Sequence, residues 1–278
     1  VPEANVSETT LYYEFHGQGR PLVMIRGLGS NADHWYSQVP ALAGRYQVVT
    51  FDNRGMARSS DPGGPFTVRQ MASDTLGLLD ALGLERPLVF GLSMGGMIAQ
   101  ELAINHPERI SGLVLACTHP GGANQVRPSA EVEALFRDMV YLATPEAKRA
   151  AAPTLFDPKT LEQRPQVAEE YAEVSLRHPA GADILTRQWN AVLGHDAYDR
   201  LPRIQAPTLV LTGDADVLIP PGNSKILAQR IPGAKLAVIP GGGHQILVEQ
   251  PEACNKAVLA FLGGLEVNFT HFRHRPEV

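Results

Sequence analysis

Leu88-Val89-Phe90-Gly91-Leu92-Ser93-Met94-Gly95-Gly96-Met97 is the stretch that decides the fold. An apolar run at 88–90 passes straight into Gly-x-Ser-x-Gly, and from Met94 the apolar residues recur at helical spacing until Pro107. That pattern predicts a strand, a sharp turn and a helix over 94–105. A serine on such a turn is forced into a strained backbone conformation, and its flanking glycines let strand and helix approach closely. A plain Gly-rich turn whose serine caps the helix fits the same letters. Partners elsewhere in the chain must decide between the two.

Outward from this turn, the runs at 22–25 (LVMI), 48–51 (VVTF) and 113–116 (LVLA) read as strands buried on both faces, and 9–15 as a more polar strand. The spacing at 67–82 predicts a helix stopped by Gly83, and Asp33 is placed to cap a helix over 34–43. Strands separated by helices predict an α/β fold with a mostly parallel central sheet covered on both faces. From 120 to 206 no comparable strand occurs. Amphipathic segments at 130–142, 145–151, 167–176 and 182–193 are separated by Pro153, Pro158, Pro165 and Pro179. Alternation resumes with a strand at 208–211, a helix at 224–230, a strand at 236–239 and a helix at 252–262, which Gly263-Gly264 is expected to end. The organisation expected is a core of 1–119 and 207–264, a small helical cap insert at 120–206, and a tail at 265–278. In the tail Leu265, Val267 and Phe269 alternate with polar residues, so it is expected either to join a sheet edge, to reach a second copy in a homo-oligomer, or to be unstructured.

Composition removes several function classes. Of 278 residues 44% are hydrophobic and 19% charged, and two cysteines, Cys117 and Cys254, give neither a disulfide scaffold nor a Cys-rich zinc site. A net charge of -5 offers no footprint for nucleic acid. No apolar run approaches the ~20 residues that cross a bilayer, so no membrane partner is expected. No leader is visible after Val1, which suggests the cytoplasm, with secretion of a processed form left open. His271 and His274 lack a carboxylate or Cys partner, and no metal is expected there.

A serine hydroxyl becomes a good nucleophile when a base takes its proton and an acid orients that base. In the order Ser…Asp…His, each partner should lie just past a strand. The run 208–211 leads to Thr212-Gly213-Asp214-Ala215-Asp216, and 236–239 leads to Pro240-Gly241-Gly242-Gly243-His244. Of nine histidines only His244 sits in a glycine-rich loop beyond a buried strand. The loop Gly27-Leu28-Gly29-Ser30-Asn31-Ala32 also imitates a dinucleotide-binding turn, but Asp33 would then set a carboxylate where phosphates belong.

These residues carry a resemblance to the α/β-hydrolase superfamily, in its group of bacterial carboxylesterases, enol-lactonases and cofactor-free haloperoxidases. The likeness covers nearly all of 10–263 and includes Asp52-Asn53-Arg54-Gly55-Met56-Ala57-Arg58-Ser59, where Ala57 replaces a family glycine, and His244 followed by Glu249-Gln250-Pro251-Glu252. The resemblance implies Ser93 as nucleophile, Asp216 as acid with Asp214 as its rival, His244 as base, and the backbone N–H groups of Leu28 and Met94 as an oxyanion hole. It implies hydrolysis of short- to medium-chain carboxylic esters through an acyl-serine, with no cofactor and no metal. Lactone hydrolysis, cofactor-free perhydrolase or haloperoxidase chemistry, and a ligand receptor on a hydrolase fold are the alternatives. Serine at 93 argues against branches that use aspartate, and Gln245 in place of tryptophan against the ring-cleavage C–C hydrolases. Trp35, Leu218, Ile219, Gln245 and Ile246 are expected to wall the pocket for a small ester or lactone, with Trp35 equally readable as a core anchor of its helix. Arg26 replaces the usual residue before the hole and is expected to pair with an acid inside the fold, an acidic substrate being the other reading.

Overall fold

A computed structural model of the chain describes residues 2–272, with side chains through Leu265. Eight strands form one sheet: β1 (Glu3–Val6), β2 (Thr9–His16), β3 (Arg20–Ile25), β4 (Tyr46–Phe51), β5 (Leu88–Leu92), β6 (Gly112–Ala116), β7 (Thr208–Gly213) and β8 (Lys235–Ile239). Their spatial order is β1-β2-β4-β3-β5-β6-β7-β8. β1 and β2 join antiparallel, as do β2 and β4, and every pairing from β4 onward is parallel.

Period-two alternation divides the strand residues between two cores. Val23, Ile25, Val49, Phe51, Val89, Leu113 and Leu115 face one way, into a cluster with helices α2 and α3 (below). Leu22, Met24, Val48, Leu88, Phe90 and Val114 face the other, toward the C-terminal helix. Because both faces are covered, the central strands read as unbroken apolar runs. Each such side chain, fully buried, contributes ~1.5–3 kcal/mol.

The helices are α1 (Val39–Leu42), α2 (Val68–Ala81), α3 (Met94–Asn105), α4 (Ala130–Leu142), α5 (Pro145–Leu155), α6 (Pro158–Gln163), α7 (Pro165–Arg177), α8 (Ala182–Leu193), α9 (Gly222–Arg230), α10 (Ile246–Glu249) and α11 (Pro251–Phe272). Five of them, α4 to α8, lie between β6 and β7. Pro158 and Pro165 each open a helix, as Pro145 does, instead of only separating two, since a first-turn N–H has no intrahelical acceptor to lose. Asp157 caps the short α6 that the sequence pattern missed, and α5 runs past Pro153 to Leu155.

Three expectations are corrected. Asn31, not Asp33, caps the segment after β3, which is a 3-10 turn (Ala32–Trp35) followed by α1, because Pro40 belongs to a new first turn and cannot continue an earlier helix. Asp33 instead pairs with Arg58 at 2.8 Å. Gly263-Gly264 does not end the last helix, which continues to Phe272, so Leu265–Phe272 does not extend the sheet edge. Leu265 is buried in the core facing Gly112, and that contact outweighs the weak helix propensity of the glycines. The side chains of Val267, Phe269 and His271, and all of His274, lie outside the described residues.

Candidate active site

The chain steps from β3 to β4 on one side and crosses back to β5 on the other, so the loops leaving β3 and β5 diverge. A crevice opens between them at the carboxyl ends of the strands. Ser93 follows β5 at this point, with φ 56° and ψ -122°, a conformation an L-residue adopts only when its surroundings hold it. Its N–H donates to the Ala116 carbonyl (2.9 Å), and its own carbonyl accepts from Gly96 N–H (2.8 Å) and the Thr118 hydroxyl (2.8 Å). A Cβ on Gly95 would fall well inside 3.0 Å of the Ile25 carbonyl oxygen, and one on Gly91 equally close to the Gly95 carbonyl. The glycines are therefore required by the close crossing of β3, β5 and α3.

Past β8, His244 presents Nε2 to the Ser93 hydroxyl at 3.1 Å and Nδ1 to an oxygen of Asp216 at 2.9 Å. The other oxygen of Asp216 accepts the N–H groups of Leu218 (3.0 Å) and Ile219 (2.8 Å), which fixes the carboxylate in place. Asp214 accepts Gly241 N–H at 2.7 Å and closes the turn beside the site. Glu249, buried, accepts Gly243 N–H (3.0 Å) and Asp157 N–H (2.8 Å), so one carboxylate ties the His244 loop to the helices between β6 and β7. Burial raises its pKa, opposed by those N–H donors. An imidazole held this way can take the proton of Ser93 as its oxygen attacks a carbonyl carbon.

The loop after β3 abuts the serine, since a Cβ on Gly27 would sit 3.0 Å from Ser93 Cβ. Gly29 N–H donates to Gln188 of α8 at 2.8 Å, whereas the N–H groups of Leu28 and Met94 have no acceptor among the described residues. Cys117, at φ 44° past β6, completes the only group of three ligating side chains among the described residues, Cys117, Asp216 and His244. Both ring nitrogens of His244 are already engaged by Asp216 and Ser93, and burial, with Asp216 nearby, pushes the Cys117 thiol well above its ordinary pKa. These contacts account for the cluster without an ion.

Two cavities meet at Ser93. The larger, about 550 Å³, is walled by Arg26, Leu28, Phe136, Leu155, Tyr171 and Gln245 among others. The smaller, about 120 Å³, is walled by Met97, His119, Trp189, Leu218 and Ile219. Gln245, Leu218 and Ile219 line these cavities. Trp35 and Ile246 line neither of them: both are fully buried in the core, with Trp35 tilted at 54° against Phe90, 5.1 Å between ring centres. Phe136, Tyr171 and Gln188 were not singled out from the sequence. Their helical spacing says only that they face inward, and the wall they meet is formed by distant residues.

Arg26 also departs from expectation. It is 1% exposed, yet no carboxylate among the described residues pairs with it. Other guanidiniums have carboxylates: the buried Arg54 binds Asp74 (2.5 and 2.6 Å), and the partly exposed Arg58 and Arg200 bind Asp52 (2.7 Å) and Glu101 (2.5 and 2.7 Å).

The model of the α/β hydrolase fold family matches residues 20–251. The carbamate-hydrolase candidate RutD of Azorhizobium caulinodans is 34% identical over 268 residues, covering 96% of this chain and all of the relative. The candidate non-heme bromoperoxidase BpoC of Mycobacterium tuberculosis is 34% identical over 260 residues, covering 92% of this chain and 98% of the relative. Among solved structures, the enol-lactonase of Burkholderia xenovorans LB400 superposes with a TM-score of 0.82 at 29% identity, covering 94% of this chain and all of that one.

Proposed function

The chain belongs to the α/β-hydrolase fold family and is a hydrolase, and from that premise we propose a carboxylesterase that works through an acyl-serine. One observation carries the reading: the continuous hydrogen-bonded path from Ser93 through His244 to Asp216, at the junction of two cavities. In this reading Ser93 Oγ attacks the ester carbonyl while His244 Nε2 takes its proton, and Asp216 stabilises the imidazolium that forms. The oxyanion is held by the N–H groups of Leu28 and Met94, each worth ~3–4 kcal/mol at the transition state. His244 returns the proton to the leaving alcohol, then activates a water that releases the acid.

The acyl and alcohol arms occupy one cavity each. At about 120 Å³ the smaller admits only a few heavy atoms, which suits a short arm on one side of the carbonyl. A lactone joins both arms into one ring, and the likeness to an enol-lactonase keeps lactones as the second reading. Multiple-turnover release of nitrophenol from short-chain 4-nitrophenyl esters, abolished in Ser93→Ala, is the expected result. Release of a single equivalent without turnover would point to a ligand receptor, and no fluorophosphonate adduct on Ser93 would reject the reading.

A further inference from the structure

The larger cavity contains a cation that the fold does not use. Arg26 follows β3 and lays its guanidinium over the indole of Trp35, 4.9 Å from the ring centre. Nη2 donates one long hydrogen bond to Gln245 Oε1 at 3.4 Å, and the hydroxyls of Tyr171 and Tyr36 lie near it. Nε and Nη1 have no hydrogen-bond partner. Gln245 and Tyr171, the side chains it faces, are both wall residues of the cavity, as is Arg26 itself.

A neutral acceptor or a water could take an N–H from this group, but neither would compensate its charge. An uncompensated buried charge is strongly unfavourable, and the buried guanidinium of Arg54 has its carboxylate in Asp74. The missing counter-charge must therefore come from what enters the cavity. The planar guanidinium suits a planar carboxylate, and one buried cation balances one negative charge.

We propose that Arg26 binds the substrate, and that the substrate is an ester or lactone carrying a carboxylate a few bonds from the carbonyl held at Ser93. The short separation follows from chain neighbours: Gly27, next to Arg26, abuts Ser93, and Gln245, its hydrogen-bond partner, adjoins His244. The inference rests on Ser93 as nucleophile.

The test compares mono-4-nitrophenyl adipate, whose carboxylate is too remote to attack its own ester quickly, with 4-nitrophenyl 6-methylheptanoate, its neutral counterpart of similar shape. In the wild type kcat/KM for the adipate ester should exceed that for the neutral ester at least tenfold. The ratio should fall to one or below in Arg26→Gln and recover in part in Arg26→Lys. A wild-type ratio of one or less overturns the inference without any variant, and so does a ratio unchanged in a folded Arg26→Gln. Turnover of the neutral ester in either case leaves the esterase reading standing. If neither ester turns over and Ser93 takes no fluorophosphonate, both fall together.

Discussion

The two walls of the larger cavity are built by different means. On the sheet side, position is set by backbone: Ser93 by hydrogen bonds to Ala116, Gly96 and Thr118, Asp216 by two N–H donors, and the His244 loop by Glu249. On the side of α4 to α8 the wall is made of side chains, among them Phe136, Leu155, Tyr171 and Leu176, and the last is 61% exposed. A few polar links join the walls: Gln188 to Gly29 N–H, Leu155 carbonyl to Gln245 N–H, and Asp157 N–H to Glu249. The loops on the sheet side thus hold residues that cannot be exchanged freely, while the opposite wall can change without moving them.

The largest expected effects break the sheet side. Ser93→Ala should lower kcat/KM for 4-nitrophenyl acetate by on the order of 10⁶ with the fold intact, and Asp216→Asn by about 10⁴, since the imidazole would lose its orienting acceptor. Gly95→Ala should destabilise the chain by about 3 kcal/mol or more in urea unfolding, because the new Cβ meets backbone that cannot move aside. Glu249→Gln tests the link between the walls. The amide presents N–H to N–H at one of two buried donors, so a loss of about 1–3 kcal/mol is expected, with reduced kcat accompanying it.

Acid should act through buried imidazoles near the smaller cavity. Burial, with His195 and His244 nearby, lowers the His119 pKa from 6.5 to about 3, and burial lowers His195 to about 4 against the opposing pull of Glu101. Between those values and 6.5 the unfolded chain binds more protons than the folded one. Stability is therefore full above about pH 6.5 and lost as pH falls, at up to ~1.4 kcal/mol per pH unit for each histidine. His119→Asn should flatten the dependence of Tm on pH over that window. Smallest of all, Leu176→Ser should change stability by less than ~0.5 kcal/mol while altering the ratio of rates on long and short acyl chains.

The sheet side was legible in the sequence because its requirements are local. A buried strand leading into Gly91-Leu92-Ser93-Met94-Gly95, or into Gly241-Gly242-Gly243-His244, is a backbone statement that adjacent letters make. The other wall was not. Asp214 and Asp216 were ranked by resemblance, and only the distances to His244 and Gly241 separate their positions. Arg26 was expected to have an acid because buried guanidiniums need one, and the sequence cannot show that none arrives. Trp35 stays undecided in the sequence for a related reason: its size marks burial but not whether it lies in the core or along a cavity. Gly263-Gly264 misled because helix propensity is a weak term beside the burial of Leu265.

The most direct test of the central claim is the mass of the protein quenched in acid during turnover of 4-nitrophenyl acetate, with peptide mapping and with Ser93→Ala alongside. An acetyl group on the peptide bearing Ser93, absent from the variant together with its turnover, is the predicted result. Turnover preserved in Ser93→Ala, or an acetyl group carried through turnover by another residue, would contradict it.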